Sequence, residues 1–153
     1  PQPDYIDYLR RLEEVLISAL TRLGVRSERL SGLTGVWVSA EPSHCKDEGA
    51  PHPNGRPAKI AAIGVKVDSR GVTRHGFALN VDPDMSYWQG IVGCGLADYP
   101  VTSLKNVLDT PPTMDEVARH VIRAFGDVFN YSMVMSTQSP AQPFDTRDKK
   151  HYT

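Results

Sequence analysis

Of the two cysteines in this 153-residue chain, Cys94 has the surroundings a nucleophile needs. Gly93 and Gly95 flank it. Glycines strip side-chain cover from the thiol and let the backbone take positive φ. They also free backbone N–H groups to point at a developing oxyanion. A cysteine packed in a tight turn fits the same residues equally well. A thiol attacks as its thiolate, so a nucleophilic Cys94 needs a neighbour that lowers its pKa. Lys59, Lys66, His75 and Lys105 are the candidates. Lys59 heads an apolar run, where a lysine could lose solvation and lean over a loop. A strand-end charge that blocks edge pairing has the same appearance. Lys66 stands one residue before the end of that run and reads as solvent-facing. His75 would make a Cys–His pair, the commoner arrangement, but also reads as an ordinary strand histidine. Spacing alone leaves Lys59 and His75 both open.

Other chemistries find less support. His44, Cys45 and His52 match no closed zinc pattern and lack a fourth ligand, so no metal site is expected. The chain has no G-x-S-x-G, H-E-x-x-H, P-loop or G-x-G-x-x-G motif. Asp82 and Asp84 read as turn residues rather than a carboxylate pair. With 17 basic and 18 acidic residues the net charge is −1, which gives no electrostatic case for nucleic acid or an anionic membrane. No apolar run approaches the roughly 20 residues of a bilayer span, and the opening residues show no signal-peptide pattern. Two cysteines are too few for a small secreted scaffold, so both are read as reduced thiols in an intracellular protein. One disulfide between Cys45 and Cys94 is the alternative.

The elements that must position these residues are legible from periodicity. Residues 4–23 carry Ile6, Leu9, Leu12, Leu16, Leu20 and Leu23 at three- and four-residue steps, one face of a helix. Asp4 is its expected N-cap, Gly24 its left-handed stop, and Arg10, Arg11, Glu13 and Glu14 its solvated face. Residues 34–39 are a short β-branched and aromatic strand. Residues 40–58, with four prolines and two glycines, are a long exposed loop. Residues 59–67 and 72–81 are two strands joined by the turn at 68–71, hence a hairpin. Gly64 and Gly76 lie inside these strands, as bulges or as points where a ligand approaches the backbone. Residues 82–89 make a short helical turn, and 102–104 fall in a turn or short helix. Thr113 and Glu116 form a capping box before a second helix reaching about residue 130. Its buried stripe is Val117, Val121, Phe125, Val128 and Phe129. Strands joined by hairpins favour an α+β fold with a mixed, largely antiparallel sheet and flanking helices. The length suits one domain, residues 1–136, with a disordered polar tail over 137–153.

Five ordered runs carry a resemblance. They are G-L-T-G-V-W-V at 32–38, K-I-A-A-I-G-V-K-V at 59–67, H-G-F-A-L-N-V at 75–81, G-I-V-G-C-G-L at 90–96 and V-T-S-L at 101–104. Together they resemble the octanoyltransferases, the lipoyl(octanoyl) transferases of LipB type. The resemblance implies a biotin/lipoate protein ligase-like fold. It implies ping-pong transfer of an octanoyl group from acyl carrier protein to a lysine of lipoyl domains in 2-oxoacid dehydrogenase E2 subunits and glycine cleavage H protein. It places the nucleophile at Cys94 and its activating lysine at Lys59, against His75. It places acyl-chain contacts at Ala62, Ile63 and Gly64 and at Gly76, Phe77 and Ala78, where small residues let the chain lie against the strands. It implies no cofactor, a monomer, and the cytoplasm, with the mitochondrial matrix or a plastid as alternatives.

Three departures from the family stand out. The pattern R-G-G-x-x-T-Y-H-G-P-G, which family members carry upstream of this first helix, is absent, and the chain opens at Pro1 rather than Met. The chain is therefore expected to be the C-terminal part of one acyltransferase domain. Gly93 stands where the family often has proline, which loosens the nucleophile loop. One extra residue near Asp68 and the loop at 40–58 fall in turns and should leave catalysis alone. Two other readings remain: an adenylating lipoate or biotin ligase relative, disfavoured by the missing glycine-rich adenylate loop, and an inactive fragment that binds acyl carrier protein.

Overall fold

Asp4 opens the first helix by accepting from the backbone N–H groups of Ile6 and Asp7, each at 3.0 Å. The computed structural model describes residues 4–39, 56–90 and 99–134. Helix α1 runs Tyr5–Arg22, and Gly24 follows at φ 82°, the left-handed residue expected after its end. Its apolar stripe is buried through Leu12, Val15, Leu16, Ala19 and Leu20. One charged residue breaks the expected solvated face: Glu13 is fully buried, whereas Arg11 and Glu14 are exposed.

Four strands follow in the order β1-β2-β3-β4, all antiparallel. They are β1 (Ser27–Glu28), β2 (Val36–Val38), β3 (Ala58–Val67) and β4 (Thr73–Leu79). The β1 pair is too short to announce itself by alternation. The β3–β4 hairpin matches the expected one, and Asp68 closes its turn by accepting from Arg70 N–H at 2.9 Å and Val72 N–H at 3.1 Å. Both bonds stabilise the carboxylate, the one from Val72 more, and hold Asp68 below the usual carboxylate range.

Between β2 and β3 the register jumps. Trp37 pairs with Lys59 but Val36 with Ala61, so β3 holds one extra residue there. This bulge turns both Ile60 and Ala61 to the core, and leaves Lys59 and Ala62 on the other side of the sheet. The core packs Leu16 and Leu20 of α1 against Val36, Val38, Ile60 and Ala61. Ile63, Phe77 and Leu79 extend the same face.

After β4 a short 3-10 helix (Met85–Gly90) and a one-turn helix α2 (Leu104–Val107) precede helix α3 (Met114–Phe129). Thr113 caps α3 by accepting from Glu116 N–H at 3.3 Å, as the capping pattern predicts. Val117 of the expected stripe is buried, and Val121, Phe125, Val128 and Phe129 are partly so, packed with α1 around Val15, Ala19 and Ala124. Asn130 ends the helix in the left-handed region at φ 57°. Residues 40–55 of the expected loop, with the histidines at 44 and 52 and Cys45, lie outside the described residues, as do Cys94 and the tail at 137–153, while Ala58, expected to end the loop, already belongs to β3. Among the described residues no helix is long and apolar enough to cross a membrane.

Candidate functional site

Lys59 sits at the start of β3, where three segments converge. Its N–H donates to Pro100 O at 2.8 Å, and its own carbonyl accepts from Thr102 N–H at 2.9 Å. These bonds lock residues 100–102 alongside it through a parallel bridge to Val101. Asn80, just past β4, tightens the same junction. Its side-chain amide donates to Thr102 O at 3.0 Å, its backbone N–H to Ile60 O, and its carbonyl accepts from Leu104 N–H. The segment that leads away from residues 91–98 is thus fixed to the strand that carries Lys59.

The lysine side chain is seated as well as its backbone. Its Nζ lies 4.6 Å from the centroid of the Trp37 ring, its register partner on β2. A cation over an indole face is attracted by the ring quadrupole, by about 1 kcal/mol at a partly exposed site. Trp37 is fully buried, and Tyr99 closes edge-on against it at 5.2 Å. Arg56 lies over the far ring, 5.6 Å from the Tyr99 centroid. The methylenes of Lys59 cross Gly35, at φ 121°. A Cβ there would stand 2.7 Å from Ala61 O and 3.4 Å from Lys59 Cε. Only glycine satisfies both demands at this position.

The same side of the sheet continues into the hairpin. Ala62 pairs with Ala78 and Gly64 with Gly76, two rungs of small residues about 7 Å apart along the strand. Ala62, Gly64 and Ala78 are exposed and Gly76 is half-buried. The rung between them, Ile63 with Phe77, points the other way and packs against the core. The six residues expected to touch an acyl chain are therefore three consecutive rungs, of which two form a bare floor and one anchors that floor from beneath. The two in-strand glycines have different reasons. Gly76 has φ 132°, a backbone conformation that by itself demands glycine, and His75 beside it has φ 70°. Gly64 needs no such conformation, and among the described residues nothing stands within 4 Å of a Cβ placed there.

The other candidate residues stand apart from Lys59. His75 is exposed and six residues further along the hairpin, roughly 20 Å from the Lys59 end. Lys66 is exposed. Lys105 is engaged by Asp82 at 2.8 Å. Asp84 accepts from Ser86 N–H at 2.9 Å, and its hydrogen bonds to Ser86 hold it below the usual carboxylate range, the turn role expected of it. Among the described residues no group of three or more His, Cys, Asp or Glu could hold a metal. Sequence reasoning missed Trp37, Tyr99, Gly35 and Asn80 as parts of the site. The W of G-V-W-V carries a strand signal only, and its contact with Lys59 arises from the pairing of β2 with β3.

Comparison with known proteins gives the family and the fold. Residues 1–126 match the family model of the lipoyl protein ligase A/B catalytic domain. An octanoyltransferase of Koribacter versatilis is 46% identical over 129 residues, 84% of this chain and 45% of the relative. One of Chloroflexus aurantiacus is 48% identical over 122 residues, 80% of this chain and 48% of the relative. The chain thus spans about half the length of the curated relatives it matches. Among solved structures, a bipartite lipoate protein ligase from Thermoplasma acidophilum, described with its E2 lipoyl domain, superposes with a TM-score of 0.60 at 18% identity, covering 91% of this chain and 51% of that one. A lipoate-protein ligase A bound with ATP superposes with a TM-score of 0.57 at 16% identity, covering 92% of this chain and 52% of that one. At these identities the structures speak for the fold, a lipoate-protein ligase-like α+β domain with an antiparallel sheet. With its matched residues covering most of its length, the chain belongs to the family of the lipoyl protein ligase A/B catalytic domain.

Proposed function

We propose that this chain is part of an octanoyltransferase, which moves an octanoyl group from acyl carrier protein to a lysine of lipoyl domains through a thioester on Cys94. The observation that carries the reading is the seat of Lys59. A cation is held over Trp37 at the head of a strand whose same side runs on as a floor of alanine and glycine. The relatives named octanoyltransferase support the activity, and the E2 lipoyl domain described with the Thermoplasma ligase supports lipoyl domains as acceptors.

The chemistry follows from the parts. The Lys59 ammonium favours the thiolate of Cys94. The thiolate attacks the octanoyl carbonyl; a new C–S bond forms, the carrier's C–S bond breaks, and the carrier leaves as a thiolate that takes the proton of the Lys59 ammonium, which leaves Lys59 neutral. Both thioesters are of similar energy, so the protein has chiefly to form the thiolate, hold the carbonyl and sheath the apolar chain on the small-residue floor. In the second transfer the amine of the acceptor lysine attacks, an amide forms and the Cys94 thiolate departs. A deprotonated Lys59 accepts the amine proton or relays it. No cofactor enters either step.

Intact mass of the full-length protein after mixing with octanoyl-acyl carrier protein tests the reading. An octanoyl adduct that maps to Cys94 is expected, followed by ATP-independent transfer to a lipoyl domain. No adduct, or modification only with ATP, would sink it in favour of an inactive binding fragment or a ligase.

A further inference from the structure

Glu13 is the one charged side chain on α1 that is fully buried, and it does not face the solvent that the sequence pattern assigns to it. Its Oε1 accepts from Gly35 N–H at 3.1 Å. Its Oε2 accepts from Arg10 at 2.7 Å and Arg29 at 3.1 Å. Arg29 reaches on to Glu14 at 2.6 Å and to Arg10 O at 3.0 Å. Two guanidiniums therefore compensate the carboxylate from its outer side, while its inner oxygen holds one backbone N–H. A buried carboxylate is a costly means of merely closing a loop. The N–H it chooses belongs to the residue whose bare Cα the Lys59 methylenes cross, two positions before the ring that seats Lys59 Nζ.

We infer that Glu13 is a positioning residue for Lys59, acting through Gly35. This rests on the reading of Lys59 as the group that activates Cys94. The carboxylate fixes the height of Gly35 against β3, and with it the line along which the lysine side chain runs to Trp37. Released from Glu13, Gly35 moves off β3, and the ammonium loses one wall of its seat without losing its charge. Misplacement of a reacting group by about 1 Å is enough to slow catalysis by about a hundredfold.

The test is single-turnover octanoylation of Cys94 in the full-length protein, followed across pH and normalised to correctly folded protein. Glu13→Leu fills the buried space with an apolar side chain but offers Gly35 no acceptor. Glu13→Gln loses the charge but keeps the acceptor. The expected result for Glu13→Leu is a rate constant lower by about tenfold to a hundredfold with KM for the octanoyl donor within about twofold, and an acid limb of the pH profile displaced upward as thiolate stabilisation weakens. Glu13→Gln restores the rate to within about threefold of the parent. In a Lys59→Met background Glu13→Leu adds no further loss. Gly35→Ala disturbs the same lysine from the other side and reproduces both the slower rate and the displaced pH limb, which keeps the idea testable where Glu13→Leu fails to fold. A Glu13→Leu protein with lower thermal stability but an unchanged rate and pH profile would overturn the inference, as would an equal added loss in the Lys59→Met background. Lys59→Met that alone leaves octanoylation at the parental rate would instead overturn the reading of Lys59, and the inference with it.

Discussion

The two sides of the β3–β4 hairpin are built from different alphabets. One presents Ile60, Ala61, Ile63, Phe77 and Leu79 to α1. The other presents Lys59, Ala62, Gly64, Gly76 and Ala78. The first side is made of volume, and its side chains account for the burial of the sheet. The second is bare in its middle, with Lys59 at one end and the Lys66–Arg74 rung at the other. A strand whose outer residues served only solubility would carry threonine, lysine or glutamate there, which favour the strand or water. Alanine and glycine do neither, and such a floor is what the proposed acyl site requires.

Three substitutions or conditions would break that contrast or sharpen it. Ile60 is fully buried, so Ile60→Ala should destabilise the domain by about 2–5 kcal/mol, read by chemical denaturation. It should leave the rate of acyl transfer per folded molecule close to the parent's. A loss of under about 0.5 kcal/mol, the range of an ordinary surface change, would mean that this side does not carry the core.

Gly64→Val is the mirror experiment. A β-branched residue replaces a strand glycine in open space, so stability should rise by about 0.5–1 kcal/mol. Octanoyl transfer should fall, by about tenfold or more for the cost of about two methyl groups in an acyl slot, while shorter acyl donors are spared. Stability and activity thus move in opposite directions. If octanoyl and butanoyl transfer fall together, the floor is not an acyl site.

The smallest effect belongs to the hairpin turn. Asp68 has a lower pKa folded than unfolded, so its contribution is complete above the unfolded value of about 3.9. It is lost as pH falls through the folded value. Amide exchange at Val72 and Arg70, normalised to the intrinsic rate, should therefore stay constant down to that range and quicken below it. Quickening that begins near neutral pH would point to a different group.

Local chemistry was the legible part of the sequence. Asp4 and Thr113 are read as caps because the groups they bond lie two or three residues away. The hairpin is read because its turn is short. Glu13 is misread as solvated because its partners Gly35 and Arg29 lie 22 and 16 residues off, and no helical period encodes them. The parallel bridge to Val101 and the junction at Asn80 escape for the same reason. Spacing leaves Lys59 and His75 tied. Family resemblance favours Lys59; the structure seats Lys59 over Trp37 and leaves His75 exposed further along the hairpin.

The extra residue in β3 has a consequence for how the chain tolerates change in length. Side chains in a strand obey a two-step parity, and the bulge resets it between Lys59 and Ala62. Lys59 and Ala62 stand three residues apart, so with unbroken alternation they would fall on opposite sides of the sheet. Deleting Ile60 shortens the step to two and keeps them on one side, whereas a regular register through both Ile60 and Ala61 would separate the cation from the floor while leaving every residue of both in the chain. Substitutions can erode this site by degrees, but a change of register would divide it at a stroke.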